Sequence, residues 1–189
     1  MPTPVRRVVT GHDKNGRSIF ISDGPAPCVY VPPKNPNVGL TDLWLTESTP
    51  ASNAGNADAT AKPLQLKPPK NGTVVRILEL PPDKERDYSH TQEYFKGMGA
   101  GQGVLDEKGK RHPGMHKTDS VDYIVILSGE IWALMDDTEV LLKPGDCLIQ
   151  RGTNHAWSNR SDKPVLMLYV LIDGQFDEEL QGHFGAGGH

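Results

Sequence analysis

A chain of 189 residues with 36% hydrophobic side chains has the size of one ordinary domain and enough apolar material for a substantial core, so a second full domain is not expected. Its 24 acidic and 20 basic residues leave a formal charge of -4 without a concentrated basic block, which argues against nucleic acid as a partner. The opening Met1-Pro2-Thr3-Pro4-Val5-Arg6-Arg7 is followed by no apolar leader and no stretch reaches membrane-helix length, so a soluble, cytoplasmic protein without membrane contact is expected.

Two short runs, Arg7-Val8-Val9-Thr10 and Ser18-Ile19-Phe20-Ile21-Ser22, flank the polar turn Asp13-Lys14-Asn15-Gly16 and predict a peripheral hairpin. Its edge could add to a sheet or embrace a second subunit. Cys28 and Cys147 are too few for a disulfide framework, and Cys147, within Cys147-Leu148-Ile149, reads as a buried packing residue. Three prolines between Pro32 and Asn37, and the small polar residues from Thr46 to Ala61, predict exposed coil. The intervening Leu40 to Leu45 is a short strand or an anchored turn. Residues 1–70 are thus an arm and loop.

Thr73-Val74-Val75-Arg76-Ile77-Leu78-Glu79-Leu80, closed by Pro81-Pro82, is β-branched and reads as the first core strand. From Asp83 to Arg111 the chain is mostly polar, with glycines at 97, 99, 101 and 103, and is expected to be a loop bordering the mouth of the fold, a lid that could carry His90 to it. Val121–Leu127, Glu130–Met135, Glu139–Leu142, Asp146–Gln150 and Val165–Leu171 follow as strands joined by tight turns at Ser128-Gly129, Asp136-Asp137 and Lys143-Pro144-Gly145-Asp146. Such spacing favours a small antiparallel barrel or sandwich over a parallel α/β sheet, with residues 71–173 as its core. Residues 174–189 form a glycine-rich, flexible tail with one helical turn at Asp177–Leu180.

On an extended segment His116, Thr118, Ser120 and Asp122 share one face, and His155 can reach the same cavity from the second segment, Gly145 to His155. Two imidazoles and a carboxylate match a facial triad that leaves coordination places open, so His116, Asp122 and His155 are the expected ligands of one divalent metal ion, iron, manganese or zinc. The alternative is a hydrogen-bonded carboxylate–imidazole cluster in an empty barrel. His112 could enter the same mouth as a fourth ligand or as an acid/base group. Trp157 shares strand parity with His155 and could form an aromatic wall for a planar substrate. Tyr123 has the opposite parity from Asp122 and is expected behind the wall or at a subunit contact. Arg151 could pair with a substrate carboxylate or form an ordinary surface salt bridge.

Over residues 110 to 172 the chain resembles the cupin superfamily. His116-x-Thr118, Asp122 and Gly129 follow the latter part of the first family motif, and Gly152, His155 and Asn159 keep the intervals of the second. Gly109 stands one residue early, Gly145 one residue close, and Gln150 replaces a proline. The resemblance implies a conical antiparallel β-barrel, a jelly roll, frequently dimeric, with a divalent metal held by His116, Asp122 and His155. Thr118 occupies the remaining ligand position, where a hydroxyl either opens a coordination place for water or substrate or marks a weakened site. The expected function is a metal-dependent enzyme acting on a small oxygenated organic acid or ring compound, a lyase (dehydration or decarboxylation) or an isomerase, with His112 exchanging a proton. A non-haem iron dioxygenase and a non-catalytic small-ligand or sugar-binding protein are the alternatives. A homodimer is the expected assembly.

Overall fold

Alternating burial sets the layers. In β6 (Val121–Ser128) Asp122, Ile124 and Ile126 face inward while Tyr123 and Leu127 face solvent. In β11 (Val165–Ile172) Val165, Met167, Tyr169 and Leu171 are buried and the residues between them half-buried. This period of two is what a sheet with one face on the core requires. A computed structural model describes residues 1–101, 103–105 and 111–184, the side chains of 182–184 excepted. Gly109 and the last five residues of the tail therefore lie outside the described residues.

Six antiparallel strands form the larger sheet, in the order β3 (Cys28–Tyr30), β4 (Gly39–Thr46), β5 (Thr73–Leu80), β11, β6 and β9 (Cys147–Arg151). A smaller sheet has the order β10 (Ala156–Ser158), β7 (Ile131–Leu134), β8 (Glu139–Leu142). Ile124, Ile126, Ile131, Val165 and Met167 fill the core. Asn159 closes the turn after β10 by donating to Leu80 O at 3.1 Å and Lys163 O at 2.9 Å. The sheets are antiparallel, as expected, and among the described residues no ladder joins their edges into a ring.

β1 (Arg6–His12) and β2 (Ser18–Pro25) form a hairpin whose strands pair with each other, while β3 and β4, also from the first 70 residues, belong to the larger sheet. Between Leu40 and Leu45 the chain is a strand. The segment after Asp83 is more ordered than its polarity suggested. It holds two 3₁₀ turns, Asp83–Glu85 and Tyr88–His90, and the helix α1 (Thr91–Lys96), whose Phe95 is buried. The Asp87 side chain caps the second turn by accepting from Ser89 N at 2.9 Å. Three-residue strands β3 and β10 are too short to show a period. Cys147 is exposed, correcting its buried reading, because its parity on β9 points outward. The tail carries a helix, α2 (Glu178–Phe184), longer than the single turn expected, with Asp177 Oδ1 accepting from Leu180 N at 2.9 Å. No helix among the described residues is long and apolar enough to cross a membrane.

Gly129, in the tight β6–β7 turn, has φ 74°, and a Cβ there would stand 2.6 Å from Pro164 O and 2.9 Å from Val165 Cα. Both obstacles are backbone and cannot rotate away. Gly129→Ala should cost at least about 1–2 kcal/mol, measured as a lower urea midpoint. An unchanged midpoint would contradict this reading of the turn.

Candidate functional site

The two histidines meet through their backbones. His116, on the extended segment leading into β6, and His155, just before β10, exchange both main-chain hydrogen bonds at 2.9 Å. This two-bond bridge places their side chains on the same side of the pair. The ring centroids are 4.2 Å apart. Phe95 continues the row 4.6 Å from His116, while Trp157 lies 5.7 Å from His155 and Tyr169 6.2 Å beyond Trp157. All five rings line an internal cavity of about 100 Å³. Leu40, Leu78 and Leu80 supply apolar wall from the larger sheet, and Tyr88 and Tyr94 reach it from the polar segment.

One peptide unit sorts two of the histidines. Gly114 O accepts from His116 Nδ1 at 2.8 Å, while Gly114 N donates to His112 Nδ1 at 3.0 Å. A carbonyl can only accept and an amide N–H can only donate. His116 in its neutral form therefore carries its proton on Nδ1 and leaves Nε2 as an acceptor, whereas neutral His112 carries an Nε2–H donor. His155 Nδ1 donates to Thr153 O at 3.0 Å, which again leaves Nε2 as an acceptor. Gln150 lies against the same His155 nitrogen, and its own Oε1 is without a partner. Turning that amide over would let Oε1 accept from the imidazole.

Burial keeps these rings uncharged. It pushes His116 down to about 4 and His155 well below the ordinary imidazole value, with the neighbouring His116 ring further discouraging charge on His155. Burial also lowers His112. The same desolvation raises the Asp122 carboxyl to about 6, against the opposing hydrogen bond from Ser120 and the charge of Arg76. Thr118 Oγ1 and Ser120 Oγ are 2.9 Å apart, so the hydroxyls run in a chain toward Asp122, on the single face that the alternation predicted. Asp122 Oδ1 is buried without a hydrogen-bond partner.

His112, His116, Thr118, Asp122, His155 and Trp157 all line the cavity. Arg151 does not: it is exposed on the outer side of β9, so the structure does not bring it to the site. His90 stays outside as well, with Nδ1 3.2 Å from Glu93. Sequence reading missed Arg86, whose guanidinium stacks 4.6 Å from the Tyr88 ring centroid and donates to Trp157 O at 3.3 Å. It also missed Arg76, which lines the cavity while bound to Asp42 at 2.6 and 3.1 Å. A cation within a predicted strand, at a position facing the core, was the available signal for Arg76.

The metal expectation is overturned. Among the described residues no group of three or more His, Cys, Asp or Glu side chains is placed to hold one ion. Thr118 stands where a third imidazole would complete the set and turns its hydroxyl to Ser120. Asp122 is likewise engaged by Ser120. The donors present do not fit an iron, manganese or zinc centre, and no step is derived through one.

Fold and site together define an antiparallel β protein with an aromatic-lined cavity. Residues 98–171 match the family model described as Cupin domain. Phomopsin biosynthesis cluster protein C' of Diaporthe leptostromiformis is 29% identical over 180 residues, spanning 89% of this chain and 78% of that protein. A cupin-domain-containing oxidoreductase of Aspergillus ruber is 27% identical, spanning 89% of this chain and 72% of its own length. Another, from Hypocrea virens, is 25% identical and spans 88% and 75%. Over residues 98–171 the chain is thus similar to cupin domains, and over most of its length to proteins named as cupin-domain-containing oxidoreductases.

Proposed function

We propose that the chain is a catalytic cupin whose own side chains transfer protons on a small, largely apolar ring compound bearing an oxygen function, in an isomerisation or a dehydration. The observation that carries this reading is the content of one buried cavity: a carboxyl with an unpartnered oxygen beside neutral imidazoles in complementary tautomers. Asp122 as carboxylate accepts a proton from substrate carbon and, once protonated, returns it to a second substrate carbon in an isomerisation or to the departing hydroxyl, released as water, in a dehydration. His112 Nε2–H and the Arg86 guanidinium then face the negative charge that develops on the substrate oxygen, within a largely apolar wall. His116 and His155, as acceptors, orient substrate hydroxyls. Kinship with proteins named as oxidoreductases supports catalysis in general.

Anaerobic incubation with a panel of hydroxylated ring ketones, in the presence of a chelator, tests this by product mass. An isomer of equal mass, or a product lighter by one water, is the expected result. A two-electron change in mass would favour the oxidation–reduction chemistry in the relatives' names, and saturable binding without turnover would make the chain a binding module.

Because proton abstraction needs the carboxylate, kcat should rise with pH through about 6 and level off above it. His116, pushed down to about 4, stays neutral across that range and adds no second limb. A kcat flat from about pH 5 to pH 8, with chemistry rate-limiting, would remove Asp122 from the reaction.

A further inference from the structure

Two phenols of the cavity take no part in the proton transfer described above. Tyr94 reaches the cavity from α1 and Tyr169 from β11, at the two ends of a row of rings. Tyr94 meets Phe95 edge-on at 4.9 Å, and the row runs on through His116, His155 and Trp157 to Tyr169. The Tyr94 carbonyl accepts from Tyr30 Oη at 3.2 Å, but among the described residues its own hydroxyl has no hydrogen-bond partner. Tyr169 is 7% exposed, and its hydroxyl meets only the Met167 thioether at 3.9 Å, a weak acceptor. Arg76 opposes Tyr169 in the strand register and spends its donors on Asp42, Gln65 O and Leu66 O. Burial keeps both phenols protonated: it pushes Tyr94 up to about 12 and Tyr169 well above the ordinary phenol value, with Asp122 and Tyr94 adding to the rise at Tyr169. Both are therefore O–H donors throughout the neutral range, and a buried donor without an acceptor is a cost that folds rarely carry unless a ligand relieves it.

We infer that Tyr94 and Tyr169 hold a second acceptor oxygen of the substrate, so that the ring taken into this cavity carries two carbonyl-type oxygens. This rests on the cavity being the substrate site proposed above, and it follows from a count of donors. With His112 Nε2–H and the Arg86 guanidinium facing one oxygen, the two hydroxyls bring the donor groups to four, whereas a carbonyl oxygen has two lone pairs and accepts two hydrogen bonds. A ring with one carbonyl leaves a pair of donors unmet. A ring dione satisfies both pairs, and its second oxygen ties α1, which carries Tyr94, to the larger sheet, which carries Tyr169.

Cyclohexane-1,4-dione and cyclohexanone differ by one carbonyl and serve as probes, titrated into the protein with chelator present and followed by ligand-observed NMR. An added carbonyl loses its water on entering an apolar cavity and is disfavoured there unless donors meet it. Wild type should bind the dione about 10-fold more tightly than the ketone, or better. Tyr94→Phe and Tyr169→Phe each remove one hydroxyl and keep the ring; each should cut that preference by about 3- to 10-fold, and the two together should reverse it. A dione bound no more tightly than the ketone, a preference unchanged in the double variant, or no saturable binding of either probe would overturn the inference. Should the variants misfold, the wild type decides: in the infrared difference spectrum of carbon-13-labelled dione, both carbonyl bands should lie below their position in hydrocarbon solvent, and one band left unshifted would overturn it. Neither measurement needs turnover, so a hydroxyl-dependent preference for the dione in a protein that forms no product would support the second-oxygen site while ending the catalytic reading.

Discussion

Asp122→Asn should lower turnover by about 10²- to 10⁴-fold, the usual contribution of a positioned proton-transfer group, while leaving ligand affinity within a few-fold of wild type. The same substitution should stabilise the fold at neutral pH. Asp122 is 5% exposed, and its carboxyl titrates near 6 when folded against an ordinary value of 3.8. The folded chain therefore holds this proton more tightly than the unfolded chain does. Stability from this group is full below about pH 4, falls as pH rises from there to about 6, and above that is a constant penalty of up to about 3 kcal/mol. Asparagine has no charge to desolvate. Urea unfolding should show the variant more stable than wild type at pH 8, with the difference shrinking toward pH 4. A variant both fully active and less stable at pH 8 would contradict the role given to Asp122.

The largest loss of stability is expected at Arg76. Its guanidinium and the Asp42 carboxylate are each 4% exposed and joined at 2.6 Å, and it also donates to Gln65 O at 2.5 Å and Leu66 O at 3.4 Å. Arg76→Met leaves a buried carboxylate without its counter-ion and should cost about 3–5 kcal/mol. Adding Asp42→Asn should recover a good part of that, because the orphaned charge is what makes the single change so costly. Arg76 also holds the Asp122 carboxyl down, so whatever activity Arg76→Met retains should have its pH midpoint moved above that of wild type. A single variant losing less than about 1 kcal/mol in urea unfolding would show that the pair contributes little.

Period-two alternation makes the inner face of β6 legible in the amino-acid sequence itself. It places His116, Thr118 and Asp122 on one side and Tyr123 on the other, and it puts Trp157 on the side of His155. Burial as such is less legible. Cys147 sits in an apolar run, but on this sheet the outer face is apolar as well, so hydrophobicity does not report which side a residue takes. The cavity's second wall is hidden for a different reason. Tyr88, Tyr94, Phe95 and Arg86 come from a segment whose composition is polar: Tyr94 and Phe95 reach the site on the short helix α1, whose Phe95 is buried in the core, and Arg86 and Tyr88 from the 3₁₀ turns before it.

The metal reading failed on donor geometry rather than on proximity. Spacing along two segments brings two imidazoles and a carboxyl to one cavity. It carries no information about how closely their donor atoms converge, and among the described residues no three of them are placed to hold one ion. Closure of the sheets into a barrel is not legible in the sequence either. Strand count and turn spacing describe a two-sheet sandwich and a ring equally well, and edge pairing between distant strands decides between them.

Proton transfer inside the cavity can be read directly by proton and deuterium NMR of a ring hydroxyketone held with the protein in deuterium oxide and chelator, without oxygen. The account predicts deuterium entering the substrate at the carbon next to its oxygen-bearing carbon with wild-type protein, and a loss of that exchange by at least about 100-fold with Asp122→Asn. Exchange undiminished in the variant, or no exchange with wild-type protein, would contradict it.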